Sequence, residues 1–283
     1  MRGWLRYLLI ASVVVVLLLI GVRERYAPRL TLFVRDLLGR APGPIAVTLG
    51  DDLDVRLYST TRPHVGKIAA LQKGLVLVHE GRELTEEGYG FGLPIIEANG
   101  RAYVSRHAET ALVSDGGRMS LVKAYRIDVV DRPTRFLRVK YADVAPRGRV
   151  TFTYTIRAPD AIDVTVDFRG LNEAWERAYL MNEQGARAFS RYMTPDGERL
   201  DGGEVGIWQE TRAPFGCWEA PGHGVRFCVD AAPGQPGFVG RERYRQYNWL
   251  GFYTLSWSGI DIALEGPIDA YTYTIRVEGG TDP

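Results

Sequence analysis

The dominant pattern of the chain from residue 45 onward is alternation of apolar and polar residues. In residues 161–168, Ile162, Val164, Val166 and Phe168 alternate with two aspartates and a threonine. Because successive side chains of a β-strand point to opposite faces, this period of two predicts a half-buried strand. The same alternation recurs in residues 136–141, 151–157, 259–265 and 271–277.

Turn-forming residues separate several of these segments. Hairpins are predicted at Asn99-Gly100, Pro159-Asp160 and Gly222-His223. About a dozen or more strands with little helical signal predict two packed antiparallel sheets. The fold class is therefore all-β, a large antiparallel β-sandwich over residues 45–279. Residues 171–197 lack alternation and are predicted to be an excursion, with a helical turn, of the kind that carries binding surfaces.

The N-terminus has a different pattern, an apolar run over residues 8–22. This run is long enough to cross the ~30 Å hydrocarbon core of a bilayer, and it predicts one transmembrane helix acting as a signal anchor. A cleaved signal peptide is the alternative, but no A-x-A-like site follows the run. Residues 1–7 then form a short cytoplasmic tail.

A short amphipathic helix is predicted between the anchor and the sandwich. Residues 23–44 form this juxtamembrane helix and a linker, because apolar residues recur at i, i+3, i+4 and i+7 over residues 28–38. Its basic face could lie on anionic lipid headgroups, or the helix could dock onto the folded domain.

The two cysteines of the chain flank the Gly-His turn. In an antiparallel hairpin centred there, Cys217 faces Cys228 with Cβ atoms within ~5 Å, which predicts a disulfide. A two-residue turn puts the pair at a hydrogen-bonded position, which suits a bridge less well, and two buried free thiols are the alternative. A disulfide favours an oxidising compartment. We therefore expect a single-pass cell-membrane protein whose bulk is extracytoplasmic.

Charge and motifs exclude several function classes. Lys plus Arg number 35 and Asp plus Glu 34, so no basic surface for nucleic acid is expected. Four scattered histidines without H-E-x-x-H or C-x-x-C predict no metal site, and no cofactor motif is present. Ser105 lies two residues from His107, and alternation would put both on one face, but no G-x-S-x-G elbow accompanies them.

Aromatic and charged residues of the C-terminal half form the candidate ligand-binding set. Aromatic faces bind sugar rings, while arginines and carboxylates fix hydroxyls. The predicted ligand-binding residues are Trp208, Trp218, Trp249, Tyr244, Tyr247, Arg191 and Tyr192. Glu210 and Glu219, on neighbouring predicted strands, are the one pair of carboxylates that could flank a glycosidic bond. In the alternative interpretation the aromatics are core residues and Glu219 pairs with Arg226.

One stretch carries a resemblance to a known fold family. Residues 135–168, R-F-L-R-V-K-Y-A-D-V through D-V-T-V-D-F, resemble the central sheet of the galactose-mutarotase-like supersandwich. The resemblance implies that fold, which aldose epimerases share with β-domains of polysaccharide lyases and glycoside hydrolases. Mutarotases use a catalytic His and Glu, and S-R-H-A-E offers Arg106, His107 and Glu109. The family's Asn-Arg pair and second His have no counterpart, so epimerase activity is not carried over.

These observations predict a membrane-anchored extracytoplasmic β-sandwich protein that binds carbohydrate or polysaccharide. Its partners would be membrane lipid and a glycan. The second hypothesis is a non-enzymatic structural or assembly protein of the cell envelope, with protein partners. The third is a sugar-active enzyme (a lyase, a glycosidase or an epimerase-like protein), with Glu210, Glu219 and His107 as catalytic candidates.

Overall fold

A computed structural model describes most of the chain. It covers residues 7, 10–15, 42–50, 52–60, 62–63, 70–85, 88–131, 141–158, 160–205, 209–211, 215–232, 236–248 and 251–279, with the backbone alone at 62–63, 70, 158, 241–248 and 251–256. Residues 10–15 are helical. The rest of the predicted anchor, and the amphipathic helix, lie outside the described residues. Among those described, no helix combines the length and apolarity needed to cross a bilayer.

The described chain from residue 45 folds into twenty-one β-strands. The strands are Ile45–Gly50 (β1), Leu53–Leu57 (β2), Arg62–Pro63 (β3), Ala70–Leu71 (β4), Val76–His79 (β5), Arg82–Glu83 (β6), Gly90–Ala98 (β7), Arg101–Asp115 (β8), Arg118–Asp131 (β9), Tyr141–Asp143 (β10), Arg149–Ala158 (β11), Ala161–Asp167 (β12), Arg177–Gly185 (β13), Arg191–Met193 (β14), Arg199–Asp201 (β15), Gln209–Thr211 (β16), Phe215–Ala220 (β17), Val225–Ala231 (β18), Gly237–Asn248 (β19), Gly251–Glu265 (β20) and Ala270–Glu278 (β21). Helical structure after residue 45 consists, in the described ranges, of single turns at Gly202–Val205 and Pro221–His223.

Antiparallel pairing joins these strands into one large sheet and two small ones. The large sheet has fifteen strands in the order β15-β14-β17-β18-β21-β12-β11-β9-β8-β7-β13-β20-β19-β16, with β10 paired to β9. A four-stranded sheet has the order β1-β2-β5-β6, and β3 pairs with β4.

The large sheet folds back so that distant strands face each other. The indole Nε1 of Trp218 on β17 donates to the carbonyl of Gly259 on β20 over 3.1 Å. The rings of Phe91 on β7 and Phe227 on β18 pack edge to face at 5.2 Å. These strands are separated by many others in the sheet order, so their contacts define two layers. The all-β sandwich is confirmed, although its layers belong to one hydrogen-bonded sheet rather than two.

The two ends of this sheet lie near each other. β15 and β16 terminate the sheet at opposite ends, yet only residues 202–208 separate them in sequence. Seven intervening residues let the Cα atoms of residues 201 and 209 lie at most about 29 Å apart. The sheet is therefore curled almost into a ring, which positions loops from distant strands side by side.

Burial follows the predicted alternation in most strands. On β12, Ile162, Val164 and Val166 are fully buried while Thr165 is exposed. The turn at Asn99-Gly100 has φ values of 52° and 65°, as a two-residue hairpin of type I′ requires. Alternation and turn chemistry together therefore located these strands correctly.

The prediction of an excursion over residues 171–197 is wrong for its central part. Residues Arg177–Gly185 form β13, which lies between β7 and β20 in the large sheet. Every residue from Leu180 to Gly185 is buried, so neither face of the strand is solvated there. The sequence of a strand buried on both faces does not alternate between apolar and polar residues. The polar residues of β13 also made it resemble a solvated segment.

The cysteine hairpin has the predicted register. Cys217 lies opposite Cys228 and Glu219 opposite Arg226, and the two sulfurs form the predicted disulfide. The connection, however, is four residues long, because Ala220 pairs with Val225. This length moves the cysteines to a non-hydrogen-bonded position, in agreement with their Cα–Cα distance of 4.0 Å.

Loss of this disulfide is expected to weaken the fold measurably. Replacing both cysteines by serine frees a loop closed over a sequence separation of 11. We expect the free energy of unfolding to fall by about 2–3 kcal/mol, measured by urea denaturation of the full chain. Wild-type protein unfolded under reducing conditions is the matched control and should give the same loss. Equal stability of oxidised and reduced protein would contradict this expectation.

Candidate functional site

Three turns from different parts of the chain meet around one cleft. They are the Glu80-Gly81 turn between β5 and β6, the segment that follows β13, and the tip of the disulfide hairpin. The cleft has a volume of about 220 Å³ and is lined by Arg82, Glu83, Leu84, Gly185, Arg187, Ala188 and His223. No residue predicted from the sequence as ligand-binding or catalytic belongs to this set.

The rim of the cleft is cationic. Arg82 and Arg187 are exposed, and His223 is half-buried. Glu83 is the one acidic residue of the lining, and its Oε1 accepts a bond of 3.2 Å from Lys73. Lys73 pairs with that carboxylate, so the two arginines and one paired glutamate are the charged residues of the lining.

Buried hydrogen bonds fix the floor of the cleft. The hydroxyl of Thr85 accepts from the backbone N–H of Leu77 at 2.9 Å and donates to Gln184 Oε1. The N–H of Gly185 donates to Leu84 O over 3.0 Å. These bonds join the small sheet to β13. The relative positions of the lining residues are therefore set by the fold rather than by exposed loops.

Two histidines stand together, and one of them, His223, lines the cleft. The rings of His79 and His223 lie edge to face at 6.0 Å. Burial, then the nearby Arg82 and His79, lowers the pKa of His223. A neutral His223 can both donate and accept a hydrogen bond. The Nδ1 atom of His79 is buried without a hydrogen-bond partner in the described part of the chain, so a polar ligand or water would satisfy it.

The predicted aromatic surface is not formed by Trp218 and Tyr192. Trp218 is 0% exposed, and Tyr192 packs against it at 5.2 Å. Burial also raises the pKa of Tyr192 to about 12. Both rings belong to the core between the layers, as in the alternative interpretation. A role in binding a sugar face is excluded for a ring with no exposed surface.

The other predicted aromatic residues keep the status of predictions. Trp208 and Trp249 lie outside the described residues. Tyr244 and Tyr247 occupy β19, where they lie opposite Leu255 and Phe252, and only their backbone is described.

Glu219 and Arg191 belong to a ladder of alternating charges. Across four adjacent strands, Arg191, Glu219, Arg226 and Glu278 lie in register. Glu219 is 3.8 Å from Arg191, 4.0 Å from Arg226 and 3.5 Å from Arg199. Such a carboxylate stabilises the sheet surface through cross-strand pairing.

Glu210 is not on a strand next to that of Glu219. It is exposed on β16, opposite Phe238 of β19, whereas β17 lies near the other end of the sheet order. The expectation of neighbouring strands is wrong because segments consecutive in sequence pair with different partners here. Catalysis by these two carboxylates stays a prediction.

His107 lies on the outer surface beside a buried carboxylate. Its Nδ1 is 2.5 Å from Asp128 Oδ2, which also accepts from Arg126 Nε at 3.0 Å. A β-bulge at Arg106 breaks the alternation, so that Ser105 is fully buried while the His107 side chain is 62% exposed. The expectation that Ser105 and His107 share a face is therefore wrong. Glu109 forms a bidentate pair with Arg149 at 3.2–3.3 Å.

In the described ranges, no three His, Cys, Asp or Glu residues are grouped so that they could hold a metal ion. His223 of the cleft also stands near Arg82, whose positive charge disfavours a cation there.

Comparison with known proteins supports the fold. No protein-family model matches the chain, and no curated protein matches it. Among solved structures, the heparan sulfate lyase HepC from Pedobacter heparinus matches with a TM-score of 0.50 and 8% identity, over 86% of this chain and 36% of that chain. A mutant of the same lyase gives a TM-score of 0.51 and 8% identity over the same shares. The 4-alpha-glucanotransferase from Thermococcus litoralis gives 0.46 and 9%, over 84% of this chain and 37% of that chain.

At 8–9% sequence identity, these similarities concern the fold alone and show nothing about function. The chain spans about a third of the length of the lyase it resembles. The match to the lyase therefore shows a shared β-rich fold. None of the three structures is a galactose mutarotase, so the finer resemblance stays a prediction.

Sequence reasoning missed the cleft because its residues come from three separated turns. Two signals pointed toward it without identifying it. Arg187 lies within the segment 171–197, which was expected to carry a binding surface, and His223 stands at the tip of the cysteine hairpin. The convergence of these turns with Arg82 depends on the curl of the sheet.

Proposed function

We propose that this protein binds acidic carbohydrate, and that the cationic cleft receives a carboxylate or sulfate group of the glycan. The observation that carries the proposal is the placement of Arg82, Arg187 and His223 around one cavity of about 220 Å³. The fold shared with a heparan sulfate lyase supports a carbohydrate-related role.

The chemistry of the rim suits an oxyanion attached to a sugar. Guanidinium groups match the geometry of carboxylates and sulfates and form bidentate hydrogen bonds with them. The neutral imidazole of His223 adds a donor or an acceptor for a hydroxyl. Because the cavity is smaller than the roughly 300–1,000 Å³ of common ligand pockets, we expect one sugar ring or one acidic substituent to enter it.

The cellular setting belongs to the same proposal. A helix formed by residues 8–22 would anchor the protein in the cell membrane as a single-pass protein, with the sandwich outside the cytoplasm. The disulfide between Cys217 and Cys228 supports an oxidising compartment. Acidic polysaccharides of the cell surface or of the surroundings would then be within reach.

Binding of a defined acidic oligosaccharide tests the proposal. Heparan sulfate oligosaccharides should bind the full chain by calorimetry, and neutral dextran oligosaccharides of equal length should not. Arg82→Gln and Arg187→Gln should each raise the Kd by about 10-fold or more, since a hydrogen bond to a charged group contributes about 1.5–3 kcal/mol.

Arg157→Gln is the matched control. Arg157 is exposed and pairs with Asp163 on the sheet surface, away from the residues that line the cleft, so its replacement should leave the Kd unchanged. Equal binding of dextran and heparan sulfate would refute selection for acidic groups. Absence of binding to both, or equal losses in all three variants, would refute the cleft as the binding site.

A further inference from the structure

One strand of the large sheet has a long edge along which no second strand is paired among the residues described. β8 pairs with β7 only from Arg101 to Tyr103. From His107 to Asp115 it pairs with β9 alone, among the residues described. A sheet edge of this kind exposes a row of backbone donors and acceptors that can pair with another strand.

The hairpin turn determines which backbone groups face outward. Gly116 and Gly117, with φ values of 55° and 80°, form a two-residue turn of type I′, so Asp115 and Arg118 are a hydrogen-bonded pair. Orientation alternates along the strand. The N–H and C=O groups of Ala108, Thr110, Leu112 and Ser114 therefore point away from β9.

The edge lacks two of the usual protections against pairing, although a β-bulge at Arg106 precedes it and two acidic residues lie within it. Residues 107–115 contain no proline and no lysine, and the four residues with outward backbone groups are uncharged. Leu112, Val113 and Met119 are 50%, 46% and 41% exposed. They are the only exposed large hydrophobic residues after residue 15 in the described ranges, so the apolar surface of the body is concentrated on this hairpin.

The charges along the edge are self-complementary in one register. When two identical strands pair in antiparallel fashion about a two-fold axis, the numbers of any two opposed residues add up to the same value. This value is even, because residues with outward backbone groups must face each other. A sum of 224 would place Glu109 opposite Asp115 twice, which is repulsive. A sum of 222 instead places the imidazole of His107 opposite the carboxylate of Asp115 and aligns Leu112 with Thr110.

We propose that two copies of this chain associate through antiparallel pairing of their β8 edges, with Ala111 opposite Ala111 at the two-fold axis. The pairing covers Leu112 and Val113 of both copies and extends the large sheet across the dimer. Backbone hydrogen bonds supply the affinity, and the positions of Glu109 and Asp115 fix the register.

Engineered cysteines test both the association and its register. Both natural cysteines are in the disulfide, so Ala111→Cys introduces one free thiol. In the proposed register the introduced thiols of the two copies face each other at a non-hydrogen-bonded position. Cα atoms lie about 4.5 Å apart at such a position, which is close enough for a disulfide. Mild oxidation of the full chain should give covalent dimers, and the matched variant Leu112→Cys should give several-fold fewer. Preferential crosslinking of Leu112→Cys would overturn the proposal.

A proline variant provides an independent measurement without crosslinking. Thr110→Pro removes one outward N–H and none that bonds to β9, a position that edge strands tolerate. Sedimentation of the full chain should show a dimer for the wild type and for Thr110→Val, and a dimer dissociation constant at least tenfold higher for Thr110→Pro. A monomeric wild type at micromolar concentration, or an unchanged dimer in Thr110→Pro, would overturn the proposal. Neither result bears on glycan binding at the cleft.

Discussion

Replacement of Trp218 by alanine is expected to lower the free energy of unfolding of the full chain by about 4 kcal/mol. The ring is fully buried between the layers and packs against Tyr192. Its Nε1–H also donates to Gly259 on the opposite strand layer. Removing it leaves a large cavity and removes the bond to Gly259. Urea denaturation followed by circular dichroism measures the loss.

Trp218→Phe is the matched control for the cavity. It keeps an aromatic ring but removes the bond to Gly259, so a loss of about 1–2 kcal/mol is expected. Heparan sulfate binding by the folded Trp218→Phe protein should equal that of the wild type. A Trp218→Ala protein of wild-type stability with impaired glycan binding would contradict the core assignment and favour a surface aromatic instead.

The second large effect is a dependence of stability on pH caused by one buried lysine. Lys123 is 0% exposed, and its Nζ donates to the carbonyls of Tyr58 and Lys73 at 2.7 and 2.6 Å. Burial lowers its pKa from 10.5 to about 7. Below pH 7 the folded protein holds a buried ammonium, which is unfavourable. Between pH 7 and 10.5 the unfolded chain binds more protons at this site than the folded chain, so stability rises with pH.

Lys123→Met isolates this contribution. Methionine has a similar length and no charge, so the variant lacks the pH-dependent penalty. It also loses both hydrogen bonds at every pH. The stability of the variant minus that of the wild type should therefore fall by roughly 3 kcal/mol from pH 7 to pH 10. Urea denaturation of both proteins at each pH measures this difference, and titrations common to both cancel. A difference that stays constant with pH would show that Lys123 does not titrate in this range.

Local sequence patterns predicted the strands whose two faces differ. The alternation around Val164 located β12, and the Asn99-Gly100 turn located the β7–β8 hairpin. The disulfide followed from register counting around the hairpin tip. These features depend on residues near each other in sequence, which is why periodicity and turn chemistry were sufficient.

Features that depend on tertiary burial could not be predicted in this way. β13 carries Asn182, Glu183 and Gln184 into the interior, although the local sequence pattern assigns these polar residues to a solvated excursion. For Asn182, the side chain accepts from Tyr273 at 3.0 Å and the backbone N–H donates to Asp261 at 2.7 Å. Both partners lie far away in sequence.

The candidate site was predicted even less completely, for the same reason. Trp218 is among the ligand-binding candidates predicted from the sequence because aromatic content does not distinguish a core ring from an exposed one. Arg82 and Arg187 are ordinary surface residues by local pattern. They line one cleft only because the sheet curls and brings the turns of β5–β6 and β13–β14 together.

The sheet order also has a consequence for the speed of folding. β12 pairs with β21, where Asp163 and Thr274 are 111 residues apart, and β13 pairs with β20, where Arg177 and Glu265 are 88 apart. Chains dominated by such distant pairings lose the entropy of closing large loops before the strand contacts form. They fold in milliseconds to seconds or more slowly. Short hairpins such as β17–β18 can form first. We therefore expect refolding to begin at local hairpins and to be limited by the late docking of β20 and β21.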